Sequence, residues 1–482
     1  MKPYKISIFI FAVIGVLACI SAVFPEDNIK VGKVDVSFPT LKSMLSAPKS
    51  KQVENTQAEK TTLKVDSQLL ALDSIHQSVI APYLKFFEEA PNRIYFPNND
   101  ITYFDDLYAS LDNAKTRPMR IVHYGDSQIE EDRITKELRL ELQTRFGGSG
   151  VGLLPFVQNI SSQTTRQSST TALTRKMAYG PTSFRSTDRI YGPLLRMDIL
   201  NTPTTTTINA KRSDPQDNPA YRYTKVTVLT RPIEKNISLR MSDGRQREVT
   251  PSDKQISFSQ FIYKDSITSL SVSATGDGYM YGIMLDDTVG VSVDNVPMRG
   301  CSGTIFTQTD PTTMRTYFSH TNTKLIIMQF TGNSVPYLST QKAVIGYISK
   351  IRSQIRFMKR QAPNTAIMFI GPSDMLQSKD GTKKSYPLLP YIDQQMQKAV
   401  NEEGIAYWSI FQMMGGSGSM QKWSQSQPAL AGKDGVHFTR LGAQRTGEQL
   451  TEAVMNGYRY YTLRKEYRQI ISEQQSDTIC AE

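Results

Sequence analysis

The sequence predicts an α/β fold: a parallel sheet covered by helices on both faces, interrupted by an antiparallel β-sandwich and preceded by a transmembrane helix. Three observations carry this. Strand-like and helix-like segments alternate from Arg120 to about residue 160 and again from Lys324 to Met455, the pattern of a parallel sheet with crossover helices. The stretch between them, about 161–290, is rich in Thr, Ser and Tyr and breaks into short strand-like runs separated by turns, as in a β-sandwich. Near the start, Ile6 to Phe24 is a charge-free apolar run of 19 residues.

That run would span about 28 Å as a helix, close to the hydrocarbon thickness of a bilayer. Lys2 and Lys5 precede it and Glu26 and Asp27 follow it, which places the short basic end in the cytoplasm and the rest of the chain outside. Three readings of residues 1–24 stay open: a retained signal anchor, a signal peptide cleaved after Ala22, or a lipobox, Val16-Leu17-Ala18-Cys19, that would acylate Cys19. All three export the chain, and the expected location is periplasmic, anchored to the inner membrane by residues 6–24. Residues 25–85 read as a polar linker with short helices around 41–45 and 69–87. If flexible, 25–67 would reach roughly 35–40 Å.

In the first α/β segment, Arg120–Tyr124 is a short buried strand. Ile134, Leu138, Leu142 and Phe146 recur every four residues as one helix stripe. Glu130, Glu131 and Asp132 fall where the first turn of that helix is expected, facing the positive end of its dipole. The second segment gives strand 325–330, helix 344–359, strand 366–370, helix 391–403, strand 406–410 and a last helix from about 441 to 455. The α/β domain is therefore discontinuous, 86–160 with 291–460. The module 161–290 is inserted in it, 461–482 forms a C-terminal tail, and the basic, aromatic stretch Tyr458–Tyr467 across that junction reads as a solvated helix.

Composition narrows the chemistry. The chain has 482 residues, enough for two to three domains, and 39% hydrophobic residues, enough for real cores. Lys and Arg number 56 against 45 Asp and Glu, a net charge of +11. The cations are spread along the chain without a dense run, so solubility or attraction to an acidic surface such as lipid or anionic glycan fits better than nucleic-acid binding. Three cysteines, Cys19, Cys301 and Cys480, are too scattered for a disulfide framework or a zinc site. Cys301 reads as a small buried residue. Of the four histidines, His123 reads as a core residue, and His76 and His320 have no motif around them.

Two motifs remain. Gly125-Asp126-Ser127 lies between a strand end and a helix, where open parallel sheets bind ligands. Ser127 there is either a nucleophile or an ordinary helix cap. Asp434-Gly-Val-His437 lies just before the last helix. An Asp three residues before a His can orient the imidazole and stabilise its cation, which are the roles of the base and its orienter in a serine triad. Gly371-Pro-Ser-Asp374 also follows a strand, so Asp374 either faces the cleft or belongs to a plain strand-end turn. In the insert, Tyr221, Tyr223, Tyr279 and Tyr281 read either as packing or as platforms for sugar rings.

Gly125-Asp126-Ser127 and Asp434-x-x-His437 resemble blocks I and V of the SGNH (GDSL-type) ester hydrolases, over roughly residues 115–160 and 290–455. The resemblance implies a three-layer sheet domain with Ser127 as nucleophile, His437 as base and Asp434 as orienter. It also implies an oxyanion hole from the N–H of Ser127, the N–H of Gly300 and the side chain of Asn333. Gly300 stands in Met298-Arg-Gly-Cys-Ser302 and Asn333 in Phe330-Thr-Gly-Asn-Ser334. The family has Gly-x-Asn-Asp or Gly-x-Asn-Glu at the latter position, so this chain departs from it. Phe146-Gly-Gly-Ser-Gly-Val-Gly152 is similar to the glycine-rich segment of bacterial peptidoglycan O-acetylesterases, which carry a carbohydrate-binding-like β module after block I.

The resemblance implies an exported carboxylic ester hydrolase that removes O-acetyl from peptidoglycan or another envelope polysaccharide, without metal or organic cofactor and without nucleic acid as partner. Two other functions fit the same sequence. One is an O-acetyltransferase supplied by a membrane-bound O-acyltransferase, and the other is a non-catalytic glycan-binding protein.

Overall fold

The structure is a computed structural model and describes residues 29–31, 34–36, 74–158, 160–211, 217–379 and 381–480. The expected membrane segment 6–24, Cys19 and the short helix at 41–45 lie outside these residues. Among the described residues no helix is long and apolar enough to cross a membrane. The chain divides into two compact units, Met1–Thr61 and Thr62–Glu482. The first contains a short antiparallel pair, Ile29–Val31 with Val34–Val36, within the stretch expected to be linker.

The second unit is built on a six-stranded sheet in the order Val291–Pro297, Met119–Gly125, Thr323–Gln329, Ala366–Ile370, Ala406–Trp408, Ile94–Tyr95. The first five strands run parallel. Ile94–Tyr95 closes the edge antiparallel. Side chains alternate across the sheet with the period of two that a strand imposes. Val122, Tyr124, Ile326, Met328, Ile367 and Phe369 enter one apolar cluster with helices Pro311–His320, Gln341–Gln361 and Leu389–Glu402. Ile121, Leu325, Ile327, Met368 and Ile370 enter another with Ser74–Glu89, Asp105–Asp112, Thr135–Phe146 and Arg440–Cys480. Both faces are covered, which is why these strands read as continuous apolar runs.

The intervening region forms two antiparallel sheets. One orders Ser257–Ile267, Tyr223–Pro232, Gly278–Asp286, Arg196–Leu200 and Thr174–Met177, and the other Gln246–Val249, Ile237–Met241, Ser269–Thr275, Thr204–Ala210 and Thr165–Ser169. Their facing residues, among them Val226, Val228, Ile283 and Leu285 from one and Ile208, Leu239, Leu270 and Val272 from the other, share a single buried cluster. The first sheet also turns Leu229, Tyr281 and Met284 toward the α/β core, in the same cluster as Val122 and Tyr124. The antiparallel region begins before residue 161, because Gly152–Leu154 already pairs with Gly278–Asp286. The glycine-rich segment makes this close weave possible. A Cβ at Gly150 would lie 2.1 Å from the Leu285 carbonyl oxygen, and one at Gly148 would lie 2.6 Å from the Val291 backbone.

Three expectations need correction. Glu130, Glu131 and Asp132 do not begin the helix; it starts at Thr135, after a kinked turn in which Glu131 and Asp132 have φ of 63° and 64°. Their carboxylates find local cations and hydroxyls instead of the helix dipole. The last helix does not end near 455 but runs Arg440–Cys480, so the tail is helical. Its aromatic segment is not solvated. Tyr458, Tyr460 and Tyr467 are buried, with Tyr460 edge-on to Phe87 of Ser74–Glu89 and Arg464 paired with Asp105. Helix Ser74–Glu89 supplies the partners that sequence periodicity alone did not reveal.

Candidate active site

The parallel strands end in register: Pro297, Gln329 and Gly125 are neighbours, and Ile370 and Trp408 continue the line. Loops leaving these carboxyl ends therefore meet along one edge. Gly125 is the last residue of its strand, and a Cβ there would sit 2.9 Å from the Ile129 side chain and 3.2 Å from the Gln329 carbonyl. This lets the chain turn sharply into Ser127. Asp126 caps the turn by accepting from the Gln128 N–H at 2.9 Å.

The structure brings Ser127, His437 and Asp434 together. Ser127 Oγ is 3.0 Å from His437 Nε2, across 310 residues of sequence. His437 Nδ1 is 2.8 Å from Asp434 Oδ2. The other Asp434 oxygen accepts the N–H groups of Val436 and His437, at 3.0 and 3.1 Å. Partial burial works against the Asp434 charge, but these two N–H groups and the His437 ring hold its carboxyl below the usual value. It is thus an anion across the pH range in which an imidazole titrates. The His437 and Asp434 side chains remain 42% and 51% exposed, so a polymer can reach them.

Two residues not singled out in the sequence tie the halves of this arrangement together. Gln128 Nε2 donates to the Val436 carbonyl at 2.7 Å. Arg133 donates to the carbonyls of Ser127 and Glu130, at 2.9 and 3.0 Å, and reaches the Phe438 carbonyl beside His437 at 3.5 Å. Their partners lie far away in sequence or are backbone atoms, so no spacing announces them.

Gly300 follows the edge strand with φ of 75° and open space around its Cα. Its backbone conformation, not crowding, calls for glycine. Asn333 lies in the turn Gly332–Tyr337 after Thr323–Gln329. Its Nδ2 donates to Asp126 Oδ2 at 3.1 Å and to the Cys301 carbonyl at 3.2 Å. Asn333 is thus held beside the turn that carries Ser127, with its amide hydrogens engaged. The preceding Thr331, fully buried, has φ of 95°, a strained value for a β-branched residue. Burial pushes the Asp126 carboxyl up to about 6, against the pull of the Gln128 N–H and of His437.

Other candidates leave the site. Asp374 is fully buried and accepts from Ser385 Oγ and the Met420 N–H, at 2.9 and 3.0 Å; it braces the hairpin Leu376–Lys379 with Thr382–Ser385. His123 is fully buried between Gln329 and Thr135, and burial lowers it to about 3. Cys301 is buried and its thiol is pushed up to about 12 by desolvation, so it carries no thiolate. His320 stacks on Phe258 with ring centres 3.8 Å apart. Tyr221, Tyr223 and Tyr281 are buried and offer no face to a sugar. Tyr279 is partly exposed, above Tyr281 and beside Arg231.

The fold is that of the SGNH-type esterases. The chain is similar to a solved peptidoglycan O-acetylesterase, with a TM-score of 0.59 and 18% identity over 74% of this chain and 96% of that one. Family two carbohydrate esterases from Cellvibrio japonicus and Clostridium thermocellum overlay far more loosely. Their TM-scores are 0.25 and 0.26 at 9% identity, over 61% and 60% of this chain and 98% and 100% of theirs. No protein-family model and no curated protein matches the sequence.

Proposed function

We propose that this protein is a serine esterase that removes O-acetyl groups from an envelope or other polysaccharide. The observation that carries the reading is the continuous hydrogen-bonded line Asp434–His437–Ser127 at the carboxyl edge of the sheet. Ser127 Oγ attacks the acetyl carbonyl while His437 Nε2 takes its proton. The imidazolium is held by Asp434. As the tetrahedral intermediate collapses, His437 returns the proton to the departing sugar oxygen, leaving acetyl on Ser127. Water then attacks with the same base, and acetate leaves.

The developing oxyanion would be met by the N–H groups of Ser127 and Gly300 and by Asn333, whose amide must exchange the Cys301 carbonyl for the oxyanion. The charge-flanked apolar segment 6–24 supports export and retention at a membrane surface. In this reading the two antiparallel sheets form a β-sandwich that extends the polymer-binding surface. The test is direct. Purified protein should be labelled by a serine-directed phosphonate probe and should hydrolyse p-nitrophenyl acetate, and Ser127→Ala should lose both while keeping its melting temperature. A wild-type protein inert to probe and ester would end the esterase reading.

A further inference from the structure

Beside the nucleophile loop lies a cavity of about 440 Å³ that contains neither Ser127 nor His437. This is within the usual range for small-ligand sites. One wall is the loop itself, Glu130 to Asp132, with Asn295 to Pro297 and Arg299; the other comes from the antiparallel region. Its surface is mixed, with Leu153, Leu154, Met177, Leu194 and Val296 apolar and Gln158, Ser161 and Ser162 polar. An apolar surface with hydroxyl and amide groups suits a pyranose ring, which presents both characters.

The charges on the two walls differ. On the loop side each cation has its anion: Arg299 pairs with Glu130 at 2.5 Å and Arg139 with Asp132 at 2.5 Å. On the opposite wall two guanidiniums stand against one carboxylate. Arg175 Nε donates to Asp198 Oδ1 at 2.8 Å, and the other Asp198 oxygen accepts the Val157 N–H at 3.1 Å. Arg175 and Arg196 both donate to the Val157 carbonyl, at 2.6 and 2.7 Å. Among the described residues Arg196 has no ion pair of its own: it shares Asp198 with Arg175 and meets the Tyr179 hydroxyl, and its buried Nε has no partner. A poorly solvated cation that only shares a counter-ion is disfavoured, and burial together with the neighbouring Arg175 lowers the basicity of Arg196 against the pull of Asp198 and Tyr179. The missing anion is the feature that points to a ligand.

We propose that this cavity binds a carboxylate-bearing sugar unit, its carboxylate received by Arg196 and Arg175 and its ring lying on the apolar wall. The site adjoins the catalytic edge through Arg299, next to Gly300, and through Glu130, three residues after Ser127. The bound unit is therefore a neighbour of the ester-bearing one, and the substrate is an acidic polysaccharide. Only the word substrate rests on the esterase reading; the binding itself does not.

The experiment uses the full chain carrying Ser127→Ala and isothermal titration with a digalacturonate, cellobiose as a neutral disaccharide, and an acidic dipeptide. Digalacturonate should bind, and binding should weaken at least tenfold in Arg196→Gln and in the cavity-filling Leu154→Trp. With Ser127 restored, both variants should keep wild-type kcat on p-nitrophenyl acetate. Equal binding of cellobiose, tighter binding of the dipeptide, or affinity unchanged in both variants would overturn the proposal. Because titration needs no turnover, a protein that binds digalacturonate but never hydrolyses an ester would retain the cavity assignment and lose only the esterase.

Discussion

Asp434 acts on His437 through a 2.8 Å bond to Nδ1 while both lie at the surface, so its contribution is orientation and charge rather than burial. Asp434→Asn should lower kcat on p-nitrophenyl acetate by about 10³–10⁴-fold with little change in melting temperature. Asn333→Ala should lower kcat by about 100–1,000-fold, the usual cost of one oxyanion donor, with KM nearly unchanged. A rise in KM alone would mark Asn333 as a substrate contact. Asp126 gives a pH signature of its own. Its folded value, about 6, lies above the unfolded value of 3.8, so the folded chain holds the extra proton between those values. Stability should therefore fall as pH rises from about 4 to 6 and level off above. The full effect is roughly 3 kcal/mol, at 1.36 kcal/mol per unit. Asp126→Asn should flatten that segment of the stability curve, as measured by urea unfolding at pH 4.5 and 7.

At the scale of elements, the turn 127–132 is held from several sides. Gln128 ties it to the His437 loop, Arg133 ties it to its own carbonyls, and the 161–164 segment grips its far end. There the Gln163 N–H donates to the Glu131 carbonyl at 2.9 Å and Thr164 Oγ1 donates to Asp132 at 2.9 Å. The left-handed Glu131 and Asp132 thus have external partners that keep the kink in place. The long helix Arg440–Cys480 is secured by its second half as well as its first. Tyr460, 1% exposed, fills the space between it and Ser74–Glu89, and Tyr460→Ala should cost about 3–5 kcal/mol, as large aromatic truncations do. Chemical denaturation would read this directly, and a loss below 1 kcal/mol would mean that the Tyr460 contact contributes little.

At the scale of the molecule, the antiparallel region is continuous with the α/β core. Arg120 of strand Met119–Gly125 is bonded to Asp286 at the end of Gly278–Asp286 and to Asp294 of the edge strand, with Tyr317 donating to Asp294. Removing the guanidinium would leave two buried carboxylates without their cation. An independent appendage could be replaced without harm to a small active site. Here the same replacement would remove Leu229, Tyr281 and Met284, leaving the core around Val122 and Tyr124 uncovered, and would free Glu131 and Asp132 from Gln163 and Thr164. Replacing 161–290 by a short Gly/Ser linker should therefore abolish hydrolysis of p-nitrophenyl acetate as well as of acetylated polysaccharide, with a markedly lower melting temperature. Retained activity on the small ester would show the region to be dispensable for the chemistry.

The alternation of strand and helix, the change of texture near residue 161 and the pairing of Gly125-Asp126-Ser127 with Asp434-Gly-Val-His437 were all legible in the sequence. Each depends on local periodicity or on a few adjacent residues, and burial of both sheet faces writes itself into every strand. The extent of the last helix was not legible, because Tyr458–Tyr467 looks like a solvated surface until Ser74–Glu89 lies against it. Nor were the roles of Gln128, Arg133 and the 161–164 segment, whose partners are main-chain atoms or distant side chains. The excess of cations was visible as a net charge, but only the tertiary structure placed Arg175 and Arg196 together with a single carboxylate. Local sequence specifies which elements form and which side chains can do chemistry, whereas charge balance and loop anchoring depend on contacts between segments hundreds of residues apart, and those exist only once the chain has folded.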